Sequence, residues 1–426
     1  MFSTDNKTTK PAKIRVIGVG GGGNNAVKFM FEKSTLESHL EGVEFACANT
    51  DAQALRDCKT HTIQLGDEIT KGLGAGADPA IGRQAAEEDS EHIREFLADT
   101  DLVFITAGMG GGTGTGAAPV IARLAKEMGI LTVAVVTRPF MFEGKQRAQI
   151  AEEGIQQLYP NVDSLIIIPN NKLLSVLGKN MTLLNAFKAA NNVLFGAVQG
   201  ISELITRPGL INVDFADVRT VMSANGMAMM GTGVGTGDNR ARQAAEAAIS
   251  SPLLEDVNLQ GAKGVLVNIT AGLDMSIGEF EEVGDAVKDF TCENATVVVG
   301  TVIDPDMKDE MRVTLVVTGL GGGREGSGVG SDARGHAAQG NNTAMNYYQH
   351  LRNDGSVDYH RLDRPAILRQ KAAAFNQANA AVNPLRKPFT HAPAAGQQPT
   401  TAEPKQRDPA DYLDIPAFLR QPEEIK

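Results

Sequence analysis

The segment 108–119 reads GMGGGTGTGAAP, with six glycines among its first nine residues. Glycine loses more conformational freedom on folding than any other residue, so such a run needs a compensating interaction. Backbone N–H groups freed of side chains surround an anion well, and a helix N-terminus adds a favourable dipole. The chemistry on offer is phosphate binding, with Thr113 and Thr115 as extra hydroxyl donors. A second run, GVGGGGNN, places Gly18, Gly20 and Gly23 in G-x-G-x-x-G spacing, followed by Asn24 and Asn25. One such match is weak evidence, but two glycine loops each feeding a helix are hard to explain as tight turns alone.

Three more polar loops follow apolar runs or glycines: NTDAQA with Asn49 and Asp51, TKGLGAGADP at 70–79, and RPFMFEGKQR at 138–147. No GxxxxGK[ST] occurs, so no Walker lysine is available to neutralise a triphosphate. Backbone amides, threonines and a magnesium ion held mainly by the phosphates must do that work. None of these loops offers an obvious activator for an attacking water. The clearest candidates lie in NVDFADVR (212–219), where alternation turns Asp214 away from Val213 and Phe215 and Asp217 follows. Alone, these would count as surface acids.

The elements that must hold these loops are legible. Strand-like runs at 14–19, 43–48, 101–107, 130–137 and 163–169 alternate with helical stretches such as RQAAEEDSEHIREFLA and PVIARLAKEMG. Near-continuous apolar strands with helices between them predict a doubly wound α/β domain around a parallel sheet. In such a sheet, ligands bind beyond the carboxyl ends of the strands, where the glycine loops fall. Over 181–205, Leu183, Leu184, Phe187, Val193, Leu194, Val198, Ile201 and Leu204 fall at helical spacing, predicting a long helix that ends near Arg207-Pro208-Gly209. Strands at 264–271, 295–303 and 312–319, with a helix around SIGEFEEVGDAVKDF, predict a second, α+β domain with a mixed sheet.

The expected division is a flexible N-terminus (1–12), a nucleotide-binding domain (13–180), a central helix (181–207) and an α+β domain (208–319). A disordered linker (320–407) follows, rich in Gly, Ala, Gln and Asn, then a terminal peptide (408–426). A net charge of −11 with no dense basic cluster argues against nucleic acid. The polar start MFSTDNKTTK, the lack of a long apolar run, and Cys47, Cys58 and Cys292 without C-x-x-C spacing suit a cytoplasmic protein.

Taken in order, GVGGGGNNAV, ANTDAQAL, KGLGAGADP, GMGGGTGTGAAP, RPFMFEGKQR and NVDFADVRTVM closely resemble the tubulin-like GTPases of bacterial cell division. The resemblance covers about 13–319 and returns at DYLDIPAFLR. It implies that Gly20, Gly21, Gly22, Gly23, Asn24 and Asn25 lie along GTP or GDP, with Asn49 and Asp51 in the neighbouring loop. Gly110, Gly111, Gly112, Thr113, Gly114, Thr115 and Gly116 would hold the phosphates, and Gly74, Ala75, Gly76 and Ala77 would sit near the terminal one. Glu143 and Arg147 match a ribose-side pair, and Phe187 and Asn192 match positions that flank and read the base. Position 192 is Asn where many bacterial relatives carry Asp, and an amide offers one acceptor oxygen where a carboxylate offers two. Asn24 stands where many relatives have another glycine, and asparagine tolerates a left-handed conformation.

The resemblance also implies that Asn212, Asp214 and Asp217 act on the nucleotide of an adjoining copy, so that head-to-tail assembly completes the site and filaments form a division ring. At the chain's end, Asp414 and Pro416 can start a short helix that puts Ile415, Phe418 and Leu419 on one face, with Tyr412 and Leu413 just ahead. By resemblance this peptide binds membrane-anchoring adaptors of the division site beneath the inner membrane. Two other readings remain. A Rossmann-type NAD-dependent oxidoreductase would use GVGGGG and an acid closing the second strand, leaving GMGGGTGTG and NVDFADVR without roles. A nucleotide-binding regulator would share the cleft and hydrolyse little.

Overall fold

Apolar runs that end in glycine or asparagine become buried strands here, and the residues after them start helices. The computed structural model describes residues 11–320 apart from 38–39, 179–180, 208, 225, 255–261, 289 and 292–294. The terminal-peptide expectations at 408–426, the linker and most of the N-terminal segment therefore lie outside the described residues. In the first half, β1 (Ile14–Val19), β2 (Val43–Asn49), β3 (His61–Gln64), β4 (Leu102–Gly108), β5 (Leu131–Arg138) and β6 (Ser164–Pro169) are the strands. Between them run α1 (Gly20–Glu37), α2 (Ala52–Arg56), α3 (Asp67–Thr70), α4 (Pro79–Glu88), α5 (Ser90–Leu97), α6 (Thr113–Glu127) and α7 (Lys145–Leu158). Then α8 (Asn170–Leu177) and the long α9 (Leu183–Thr206) lead to α10 (Phe215–Met222). The remainder is β7 (Gly226–Thr236), α11 (Arg240–Ile249), β8 (Gly264–Ala271), α12 (Ile277–Lys288), β9 (Thr296–Ile303) and β10 (Glu310–Leu320).

The ten strands among the described residues form one sheet in the order β3-β2-β1-β4-β5-β6-β7-β10-β8-β9. The first six are parallel, β6 pairs in parallel with β7, and β10 runs antiparallel to both β7 and β8. The expected parallel and mixed sheets are thus hydrogen-bonded into a single surface. On one face, Val27 and Met30 of α1 and Leu194, Val198 and Ile201 of α9 join a core that continues to Val218, Val302 and Val316. The other face of the parallel part packs under α5, α6 and α7, and α11 and α12 cover the mixed part. Because α9 contributes to a core reaching into both halves, it fixes the 209–217 loop relative to the parallel sheet. Its apolar stripe starts later than the spacing predicts: Leu183 and Leu184 are exposed, and burial begins at Ala186.

Helix α6 begins at Thr113, whereas the sequence reading started a helix at Pro119. The reason is contact with α4. A Cβ on Gly116 would lie 2.0 Å from the Pro79 carbonyl oxygen, and one on Gly82 would lie 2.4 Å from that of Gly112. Gly116 is therefore buried at the contact between two helices. Alanine normally favours a helix over glycine by about 1 kcal/mol. Overpacking at a closed contact costs about 1–3 kcal/mol and should win here. Gly116→Ala is expected to lower the urea midpoint, whereas Gly196→Ala on α9, which meets nothing within 4 Å, should leave it unchanged or raise it.

Candidate functional site

The carboxyl ends of β1 and β4 converge on two helix starts. Gly20 opens α1 with φ +69°, and a Cβ there would meet the Gly114 nitrogen of α6 at 2.7 Å. Gly110, with φ +98°, turns the chain between β4 and α6, and its N–H donates to the Thr115 hydroxyl at 2.8 Å. No side-chain cap occupies the first turn of α6. Thr115 itself is buried, so its hydroxyl shapes the loop from inside and does not face the opening as expected. Thr113 contacts the Thr50 hydroxyl at 2.7 Å.

A cleft of about 360 Å³ opens at these strand ends. Gly21, Gly22 and Asn25 from α1, Gly108 and Met109 after β4, and Glu143 and Arg147 before and on α7 line it. Phe187, Ala190, Asn191 and Leu194 of α9 close its far side, with Thr137, Pro139 and Asn170 between. Arg147 Nε stands 3.3 Å from Glu143 Oε2, while Glu143 Oε1 accepts the Phe140 N–H at 2.8 Å. The buried Phe140 ring meets Phe187 edge-on, centroids 5.4 Å apart, leaving Phe187 41 % exposed as a flat apolar wall. Asn170 Oδ1 is buried at the cleft with no hydrogen-bond partner among the described residues. A buried acceptor without a partner costs free energy unless a donor arrives, so this oxygen suits a ligand N–H.

Several expected residues sit elsewhere. Asn192 lies one position round the helix from Asn191, in a neighbouring cavity of about 410 Å³, where its Oδ1 accepts from Lys33 Nζ at 3.3 Å. One residue turns a helix by about 100°, whereas Asn191 follows Phe187 by four and shares its face. Asn24 is helical, not left-handed, and its side chain is 1 % exposed. Gly23 is likewise a contact residue, since a Cβ would meet the Thr106 carbonyl oxygen at 2.3 Å.

The loop after β2 is strapped to the 70–78 loop. Gly74 N donates to Thr50 O at 3.2 Å, Ala52 N donates to Gly72 O at 3.1 Å, and Asp51 pairs with Leu73. Asp51 caps α2, its Oδ1 accepting the Gln53 N–H at 2.9 Å, so it is not poised as the ribose acid of a dinucleotide site. Ala75 packs beneath Gly112, while Gly74, Gly76 and Ala77 adopt positive φ, Ala77 at +63°. Left-handed alanine is strained by roughly 1–3 kcal/mol, a feature concentrated where loops must switch or clamp.

The acidic loop is built differently. Asp214 caps α10, Oδ1 accepting the Asp217 N–H at 2.8 Å, and Asn212 Oδ1 accepts the Gly209 N–H at 2.8 Å. All three side chains are exposed, and none lines the cleft of its own chain. Leu210 and Ile277, 69 % and 81 % exposed, border a small cavity next to this loop.

Known proteins resemble this chain in sequence and in fold. Residues 13–178 match the Tubulin/FtsZ family, GTPase domain, and residues 226–321 match the FtsZ family, C-terminal domain. The cell division protein FtsZ of Coxiella burnetii is 60 % identical over 425 residues, covering the whole of both chains. That of Pseudomonas aeruginosa is 57 % identical, covering 99 % of each. Among solved structures, an empty FtsZ dimer from M. jannaschii shares 45 % identity with a TM-score of 0.69, over 74 % of this chain and 90 % of that one. The fold is also that of a GTPγS-bound CetZ2 protofilament from Haloferax volcanii, 20 % identical with a TM-score of 0.62, over 72 % and 93 % of the two chains. Nothing supports the oxidoreductase reading; the chain belongs to the tubulin/FtsZ family of GTPases.

Proposed function

We propose that the chain binds GTP in the cleft at the ends of β1 and β4 and hydrolyses it only when the next copy in a head-to-tail filament presents Asn212, Asp214 and Asp217. The observation that carries this reading is the separation of the exposed acids from the cleft of their own chain. Two apolar rims favour it. Leu73 and Met141, 86 % and 82 % exposed, flank the cleft loops, as Leu210 and Ile277 flank the acidic loop. Burying one end of a copy on the opposite end of another gives a heterologous contact, which does not close on itself.

In the cleft, the N–H groups at the starts of α1 and α6 face the phosphates, with Gly74 to Ala77 near the terminal one. Arg147 and Glu143 take the ribose side, Phe187 stacks on the base, and Asn170 and Asn191 read its polar edge. Magnesium, bound mainly through the phosphate oxygens, would offset their charge. Asp214 and Asp217 of the next copy orient the attacking water, Asn212 holding their loop in shape. As a ring-forming filament the chain would act at the division site beneath the inner membrane. Tyr412, Leu413, Ile415, Phe418 and Leu419 would form the apolar face that membrane-anchoring adaptors grip.

Asp217→Ala tests the shared site: GTP affinity should stay within about threefold while turnover falls by at least about 10²-fold. Unchanged turnover would remove the acidic loop from the reaction. The base contacts are tested by competition between GTP and ATP. Asn191→Asp should sharpen the preference for guanine, because a carboxylate accepts from both N1–H and the exocyclic amine. Asn192→Ala should leave it unaltered, and the opposite pattern would restore Asn192 as the reader.

A further inference from the structure

We infer that Asn24 is a positioning residue, acting on the cleft through Asn49 without touching the nucleotide; this rests on the reading of the cleft as a GTP site. Oriented to satisfy its neighbours, the Asn24 amide nitrogen donates to Gly18 O at 2.8 Å, Gly20 O at 3.1 Å and Ala48 O at 3.2 Å. Its oxygen accepts from Asn49 Nδ2 at 3.1 Å. Gly18 and Ala48 belong to the last turns of pairing between β1 and β2, and Gly20 opens α1. One buried side chain thus ties two strand ends to the helix start whose N–H groups face the cleft.

The tie continues outward. Asn49 is 3 % exposed, and its Oδ1 accepts the Asp51 N–H at 3.3 Å. Between them, Thr50 receives Gly74 N and the Thr70 hydroxyl on its carbonyl, both at 3.2 Å, and meets Thr113 with its own hydroxyl. Asn24 therefore sets Asn49, and Asn49 sets the segment on which the 70–77 loop and the start of α6 rest. The adjacent Asn25 is exposed and lines the cleft, so the two asparagines divide contact and support between them.

Only a neutral amide fits this place: its two N–H bonds serve a cluster of carbonyl oxygens while its own oxygen serves a donor. Aspartate would turn a carboxylate toward three carbonyl oxygens and could donate only when protonated. Burial and those oxygens both favour the protonated form.

The test is equilibrium GTP binding by the full chain, with melting curves to check that each variant is folded. Asn24→Ala should weaken binding about tenfold or more, because the strand ends and loops around the cleft would no longer be held in place before GTP arrives and binding would have to order them. Asn49→Ala in that background should add less than about twofold, because both changes break one relay. Asn24→Asp should bind progressively better from about pH 8 to about pH 5.5, relative to Asn24→Ala, as its carboxyl takes up the donating proton. Independent losses from the two alanine changes, or Asn24→Asp tracking Asn24→Ala across pH, would overturn the proposal. If Asn24→Asp does not fold, the alanine cycle decides. A wild-type chain that fails to bind GTP overturns the cleft assignment itself, whereas wild-type binding with an indifferent Asn24→Ala overturns only the relay.

Discussion

Two helices must begin where two neighbouring parallel strands end, and the space between their first turns is too small for side chains. A Cβ on Gly20 would meet the Gly114 nitrogen at 2.7 Å, and one on Gly22 would lie 3.1 Å from Gly108. That close approach brings two sets of free backbone N–H groups to one opening, which is what a chain without a Walker lysine needs to hold phosphates. The glycines give up conformational freedom on folding, and packing already offsets much of that loss before any ligand arrives. Gly23, Gly82 and Gly116 are held by contact with neighbouring backbone, leaving Gly21 and Gly22 exposed toward the cleft.

From this junction the rest of the design follows. Buried amides and hydroxyls at Asn24, Asn49, Thr50 and Thr115 fix the loops from beneath, so the polar groups facing the opening need little reorganisation when a charged ligand enters. Helix α9 carries the far wall of the cleft at one end and leads into the acidic loop at the other. Its buried face belongs to a core extending under both halves of the sheet, so the distance between cleft and acids is set by a rigid element.

Of the parallel half, β1, β2, β4, β5 and β6 and the glycine loops were legible because these strands are largely buried on both faces and read as nearly uninterrupted apolar runs. β7 was not, for a physical reason. Its inward positions include Gly231, Gly233 and Gly235, which lie against the backbone of α11 near Ala248, Ala244 and Arg240. Helix contact at that distance replaces the apolar alternation that would announce a strand. β3 is four residues long with His61 and Thr62 exposed, too short and polar for any period. In the site, a resemblance of motifs pointed to Asn192; Asn191, four residues after Phe187 on one helix face, is the one that lines the cleft, while Asn192 lines the neighbouring cavity. Asn170 had a signal too, as the residue immediately after the apolar run of β6. Which glycines pack and which line the cleft depends on close approaches between distant segments, and local sequence does not carry that information.

The acidic loop is exposed and does not line the cleft of its own chain, and the proposed shared site makes activity a property of two copies. The most direct measurement is GTP hydrolysis per molecule over a range of protein concentrations, with light scattering recorded on the same samples. The account predicts almost no turnover at low concentration and a sharp rise at the concentration where scattering appears. A specific rate that stays constant from the most dilute sample upward would mean that each chain holds a complete active site, and the shared-site account would be wrong.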